Sequence, residues 1–197
     1  MKQSVALFFG SFNPVHAGHI AIANHILHAE LSHEVWFVLS PMNPLKQNIS
    51  QATDRHRLRM LELAIGQQPH FSVCDIELGM PLPSYTINTM SLLSSTYPET
   101  AFSIIIGMDN LQLFKQWKSW KTLLVRYQML VYPRTLNQQQ SELFHRHIFI
   151  MNEAPLIDIS STEIRQMIQS ENPYRHLLPE GVAEYIEEHN LYRQSDH

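Results

Sequence analysis

An apolar run, Val5-Ala6-Leu7-Phe8-Phe9, leads straight into Gly10-Ser11-Phe12-Asn13-Pro14-Val15-His16-Ala17-Gly18-His19, and then into Ile20-Ala21-Ile22-Ala23-Asn24-His25-Ile26-Leu27. The first run reads as a buried strand and the last as a helix. Between them lies a small-residue turn with two histidines about one helical turn apart. A strand that hands over to a helix through such a turn constrains the fold strongly. It is the opening unit of an α/β protein, and anions bind at that junction.

The rest of the chain repeats the alternation. Strand candidates are 4–9, 34–39, 70–74, 101–106, 127–132 and 147–151, several of them near-continuous apolar runs as expected for strands covered on both faces. Helix candidates are 17–31, 53–67, 86–97, 109–115, 119–125 and 138–145. Thr53 is an N-cap residue type, and Leu58, Leu61, Ala64 and Ile65 supply a helical stripe. The order predicts an α/β fold with a doubly wound parallel sheet. Two further helices, 161–170 and 180–189, are expected to pack on the end of the sheet. The 197 residues suit one domain spanning 1–197. The irregular segments 41–52, 75–85 and 133–140 are the expected loops.

Composition excludes several classes. Apolar residues make up 44% and charged residues 16%, so the chain reads as globular rather than disordered. A net charge of −4 argues against bulk nucleic-acid binding, which uses a basic face. Cys74 is the single cysteine, so no internal disulfide and no cysteine zinc site is expected. The run 4–9 is too short for a signal peptide, and no apolar stretch approaches a membrane span. A cytoplasmic location is the default expectation. Glycine-rich dinucleotide, P-loop lysine and nucleophile-elbow motifs are missing.

Several constellations carry chemistry. Gly10 and Ser11 let backbone N–H groups approach a ligand, and the helix from Ala17 directs its positive end to the same place. With His16 and His19 this makes a cradle for a polyphosphate. The same pair is open to reading as a solvated helix end, or as half of a metal site that lacks a third ligand nearby. Ile159-Ser160-Ser161-Thr162-Glu163-Ile164-Arg165 has capping-box spacing from Ser160 to Glu163. It equally offers hydroxyls, helix N–H groups and an Arg165 fork to a phosphate. Gly107-Met108-Asp109 ends a strand, and Asp109 can hold a ribose or a cation, or simply cap a helix. Trp117 can stack on a flat ring or can be core packing. Lys46, in the loop after the second strand, is a candidate phosphate ligand. Thr86 offers a hydroxyl and free N–H groups at a helix start.

Taken together these residues resemble the nucleotidylyltransferase superfamily. Residues 10–19 match its T/S-x-F-x-P-x-H-x-G-H signature, and residues 159–165 match its I-S-S-T-x-I-R motif, in the same order. Ser84-Tyr85-Thr86, Gly107-x-Asp109 with Trp117, and the Leu177-Leu178-Pro179 to Leu191-Tyr192 ending look like bacterial nicotinate-nucleotide adenylyltransferases over essentially the whole chain. The resemblance implies a Rossmann-like fold. It also implies a transferase of NAD biosynthesis that joins nicotinate mononucleotide to the AMP part of ATP, giving deamido-NAD and pyrophosphate. Mg²⁺ would travel with the ATP phosphates, with no protein metal cage, and ATP and nicotinate mononucleotide would be the partners. His16, His19, Lys46 and Arg165 would be catalytic. Gly10, Ser11, Phe12, Gly107, Asp109, Ser160, Ser161 and Thr162 would bind ATP, with Asp109 near the ribose and residues 161–165 on the β- and γ-phosphates. Thr86, Trp117 and Lys118 would bind the nicotinate nucleotide, Trp117 by stacking and Thr86 with the Lys118 N–H on the carboxylate. Sister enzymes acting on nicotinamide mononucleotide or phosphopantetheine, and a non-catalytic nucleotide binder, are the alternatives. The sequence departs from the family pattern at Asn13, where Asp is common, and at Leu45, where His is common.

Overall fold

The computed structural model describes residues 3–41, 52–66, 68–133 and 145–193. Its frame is a six-stranded sheet among those residues, formed by β1 (Ser4–Gly10), β2 (Glu34–Leu39), β3 (Phe71–Cys74), β4 (Ala101–Gly107), β5 (Gln128–Tyr132) and β6 (Ile148–Ile150). The spatial order is β3-β2-β1-β4-β5-β6, and every neighbouring pair is parallel. Phe8 of β1 pairs with Phe37 on one side and with Ile105 on the other. The chain leaves β1 toward β2 and later returns to its opposite flank as β4. The carboxyl ends of β1 and β4 therefore flank the point where the winding reverses, which is where such sheets open a binding crevice.

Alternation along the strands builds two cores. Ala6 and Phe8 face a core shared with Ile22 and Ile26 of α1 (Ala17–His28), Met60 and Leu61 of α2 (Asp54–Ile65), Ile164 of α6 (Ser161–Gln169) and Ile186 of α7 (Val182–Glu188). Val5 and Leu7 face the other core, with Met90 and Leu93 of α3 (Thr86–Thr96), Leu111 of α4 (Met108–Gln112) and Leu123 of α5 (Trp120–Arg126). The period-2 pattern of β1 thus becomes two helix layers around one sheet. The C-terminal helices lie on the α1–α2 face rather than at the end of the sheet. Their apolar stripes continue that core, so burial decides their position.

Boundaries shift by a few residues. The helix expected at 17–31 stops at His28, and the one expected at 53–67 spans Asp54–Ile65 behind a Thr53 cap that accepts from the His56 N–H. The 109–115 helix divides into α4 and a 3₁₀ turn, Phe114–Gln116, and the loop 75–85 contains a second 3₁₀ turn, Ile76–Gly79. Residues 138–144 of the helix expected at 138–145 lie outside the described residues, as do Lys46 and Leu45. Among the described residues no helix is long and apolar enough to cross a membrane.

A titratable contact ties α2 to α7. His56 Nδ1 and the Tyr185 hydroxyl are 3.0 Å apart, and the His56 and His189 rings lie 5.2 Å apart. Partial burial, then His189 and Arg55, lower the His56 pKa below its ordinary 6.5. The unfolded chain then takes up the proton first, so this contribution to stability is lost as pH falls below about 6.5. Melting temperature should fall from about pH 7.5 to about pH 5, and His56→Gln should flatten part of that slope. An unchanged slope in the variant assigns the acid loss to other groups.

Candidate active site

The turn after β1 is bent in a way the sequence alone does not announce. Phe12 adopts φ +43°, a left-handed conformation that costs a non-glycine residue on the order of 1–3 kcal/mol. Its ring is buried and edge-on to Phe8, Phe37 and His19, at 5.8, 5.7 and 5.0 Å between centroids. Aromatic packing holds the strained turn, and the same packing orients His19.

His16 is the N-cap of α1, in extended conformation and buried. Its N–H donates to Nδ1 of His19 at 3.2 Å, and the two rings stack with centroids 3.7 Å apart. An accepting Nδ1 places the His19 ring hydrogen on Nε2. His19 is therefore fixed as a directional donor, held by its neighbour's backbone and by Phe8 and Phe12. Gly18 explains the residue between the histidines. A Cβ there would lie 2.2 Å from Ile157 Cγ2, so the segment leading to α6 crosses the start of α1 only because position 18 has no side chain.

That crossing brings the two signature segments together. The Ser161 hydroxyl donates to the Pro14 carbonyl at 2.9 Å, and Arg165 donates from one terminal nitrogen to the Asn13 carbonyl at 2.7 Å and from the other to Thr162 Oγ1 at 3.2 Å. Burial pulls the Arg165 pKa down from its ordinary value, with the nearby Tyr192 acting in the opposite sense. Ser160 and Glu163 form the capping box: the Ser160 hydroxyl accepts from the Glu163 N–H at 3.2 Å, and the Glu163 carboxylate accepts from the Ser160 N–H at 2.9 Å. The N–H groups of Ser161 and Thr162 belong to the first turn of α6, which has no intrahelical acceptor for them.

Three residues that sequence reasoning passed over complete the clamp. Arg57, 1% exposed, donates to the Ser11 carbonyl, to the Ser40 carbonyl at 2.8 Å and to Asp54 at 2.6 Å. The Tyr192 hydroxyl donates to Asn13 Oδ1 at 2.7 Å, and the Ala52 N–H donates to the same oxygen at 3.2 Å. Burial drives the Tyr192 pKa far upward, so the phenol stays a donor. Asn13 thus supplies through its amide oxygen the acceptor that an aspartate would supply. Side chains from α2, α6 and the C-terminal segment hold three residues of the turn, Ser11, Asn13 and Pro14. Only Arg57 carried a local signal: it falls on the buried face of α2 with Met60, Leu61 and Ala64.

The other candidates gather at the same sheet edge or beside α3. Gly107 is the N-cap of α4, so Asp109 is not a cap but sits inside the first turn. A Cβ on Gly107 would meet Asp109 Oδ1 at 2.5 Å, so glycine lets that carboxylate fold back over the end of β4. Tyr132, paired with Gly107, also packs on Phe8 and lines a small cleft with His16, His19, Ile157 and Ile159. Lys118 lies over the Tyr85 ring at 4.2 Å, which joins the Trp117–Lys118 segment to the start of α3 at Thr86. Trp117 is partly exposed and leans on Phe114 at 5.3 Å.

A family model described as cytidylyltransferase-like matches residues 7–167. The chain belongs to the cytidylyltransferase-like family. Among its relatives, a probable nicotinate-nucleotide adenylyltransferase of Azobacteroides pseudotrichonymphae is 40% identical over 189 residues, covering 96% of this chain and 98% of its own. One from Cytophaga hutchinsonii is 39% identical over 190 residues, with the same coverage. Among solved structures, Plasmodium falciparum nicotinic acid mononucleotide adenylyltransferase complexed with NaAD superposes with a TM-score of 0.81 at 19% identity, covering 96% of this chain and 97% of that one. The fold of this cytidylyltransferase-like member is therefore shared well beyond recognisable sequence identity. The doubly wound sheet with C-terminal helices, read from the alternating runs, matches that architecture.

Proposed function

We propose that this chain transfers AMP from ATP to nicotinate mononucleotide, giving deamido-NAD and pyrophosphate in NAD biosynthesis. The observation that carries the reading is likeness over the full length to nicotinate-nucleotide adenylyltransferases. In the reaction a phosphate oxygen of the mononucleotide attacks the α-phosphorus of ATP. The new P–O bond forms as the bond to the β-phosphate oxygen breaks, and pyrophosphate leaves with that electron pair. The attacking oxygen is already anionic, so positioning and charge stabilisation suffice.

The roles follow the chemistry of each group. His19 donates from Nε2 to the α-phosphate oxygens as charge redistributes there, with His16 and the N–H groups of Gly10, Ser11 and Phe12 beside it. Arg165 uses two of its five N–H donors in the clamp, and with Ser160, Ser161 and Thr162 it meets the β- and γ-phosphates. Gly107 and Asp109 take the adenosine, and Lys46 adds a cation. The donor set is imidazole, guanidinium, hydroxyl and N–H, with Asp109 as the carboxylate at the end of β4. This fits Mg²⁺ carried on the triphosphate, where it would neutralise phosphate charge, and does not resemble a protein cage. The cytoplasm is the compartment we infer, because both substrates are free nucleotides.

The test is one assay with ATP and Mg²⁺ and, in separate arms, nicotinate mononucleotide, nicotinamide mononucleotide and phosphopantetheine. Pyrophosphate release should be fastest with the acid. Release confined to another arm overturns the substrate, and release in none overturns the enzyme. Within that assay Trp117→Ala should raise the KM for the mononucleotide about tenfold, because ring stacking contributes about 1–3 kcal/mol. Turnover should change little, and an unmoved KM makes Trp117 a packing residue.

A further inference from the structure

Glu77 is a buried acid that no role above uses. It is 2% exposed, in the 3₁₀ turn Ile76–Gly79 that follows β3. Its carboxylate accepts from the Thr89 hydroxyl at 2.7 Å and from the Ser84 hydroxyl at 3.2 Å. Thr89 is itself fully buried, one turn into α3. Both donors thus come from the segment that begins α3, and both are fastened to the turn after β3. A buried carboxylate is costly unless its lone pairs are met, so these two hydroxyls are bound to it tightly.

Between these points Leu78 packs against the core on the α1–α2 face, and Met80 Sδ accepts from the Thr89 hydroxyl at 3.8 Å. Pro81, Leu82 and Pro83 are exposed and contribute nothing to either core. Past this exposed stretch, the chain is next fastened at Ser84, through its hydroxyl's bond to Glu77. Beyond it Tyr85 is the N-cap of α3 and makes no side-chain cap bond. Its ring lies against Lys118 instead. The first-turn N–H groups at Thr86 and Ile87 have no intrahelical acceptor. They can read an anionic group only if the start of the helix is held still.

We infer that Glu77 is a positioning residue for the mononucleotide: by binding Ser84 and Thr89 it sets the start of α3, and so the accuracy with which Thr86 meets the nicotinate carboxylate. The inference rests on the nicotinate-nucleotide reading of the site. It separates Glu77 from the ATP side, because β1, α1 and α6 contribute none of its partners.

The test is steady-state kinetics on the full chain carrying Glu77→Ala, Glu77→Gln or Thr89→Val. Glu77→Ala should raise the KM for nicotinate mononucleotide about tenfold, with the KM for ATP within about twofold and kcat within about threefold. Glu77→Gln keeps an amide oxygen in place and should recover most of the loss. Thr89→Val should reproduce part of the rise, and adding it to Glu77→Ala should give no further rise, as expected for partners in one bond. If Glu77→Ala does not fold, Glu77→Gln and Thr89→Val carry the test, with faster amide exchange across 84–89 as a second readout. An unmoved mononucleotide KM, or equal rises for both substrates, overturns the positioning role. A wild-type chain that releases no pyrophosphate from nicotinate mononucleotide overturns the substrate reading itself, and is seen before any variant is made.

Discussion

Alanine at position 19 lowers kcat by about 10²–10³-fold while the KM for ATP stays within about threefold. The asymmetry follows from how the ring is held. Its Nδ1 accepts from the His16 N–H, the His16 ring lies 3.7 Å away between centroids, and Phe8 and Phe12 pack on it in T-shaped contacts. With Nδ1 accepting, the ring hydrogen sits on Nε2, and its direction is set before substrate arrives. A preorganised donor contributes most where charge grows during reaction, and less to ground-state binding that several N–H groups share. Removing one such donor typically costs about 2.7–4 kcal/mol in the transition state. Steady-state rates over a range of ATP, with single-turnover rates at saturating ATP, separate the cases. If the KM for ATP rises while kcat holds, His19 is a binding group and the charge-stabilising role falls to His16 or Arg165.

The sequence carried the fold almost completely because the signal for it is local. Six apolar runs each produced a strand, and the continuous ones, 34–39 and 101–106, lie inside the sheet where both faces are covered. The two signature segments were legible for the same reason, each being a short strand-to-helix or loop-to-helix junction. What was hidden is what joins distant pieces. Tyr192 reaches Asn13 across 179 positions, and no periodicity encodes that contact. Glu77 sits in a short apolar stretch, Ile76-Glu77-Leu78, that reads as a loop. Arg57 looked like one charge among several in Thr53-Asp54-Arg55-His56-Arg57, although its spacing to Leu61 and Ala64 places it on the buried face. Asn13 was legible only as a departure. The structure turns it into an acceptor shared by Ala52 and Tyr192, a task that needs an oxygen and not a charge.

The second large effect belongs to Arg57. Methionine there keeps much of the volume and removes the charge and the donors. The carbonyls of Ser11 and Ser40 lose their bond to a buried guanidinium, and Asp54 loses its partner at 2.6 Å. Breaking a buried charged network from one side costs about 3–5 kcal/mol. For a chain of this size that corresponds to a melting temperature lower by roughly 10 °C. Activity should fall further than stability alone explains. Ser11 begins the turn whose strained Phe12 packs on His19, and Ser40 follows β2 and donates its own N–H to Gly10. Releasing both carbonyls frees the loop ends at the carboxyl edge of β1 and β2 together. A displacement of about 1 Å in a positioned phosphate cradle is enough to lower kcat/KM about 10²-fold. Lysine at 57 restores the charge but not the planar fork, so it should recover only part of either loss. Thermal melts, with kinetics at a temperature where the variant is fully folded, distinguish the contributions. A methionine variant that is less stable yet keeps wild-type kcat/KM makes Arg57 a purely structural residue. One that keeps its stability as well removes Arg57 from the clamp.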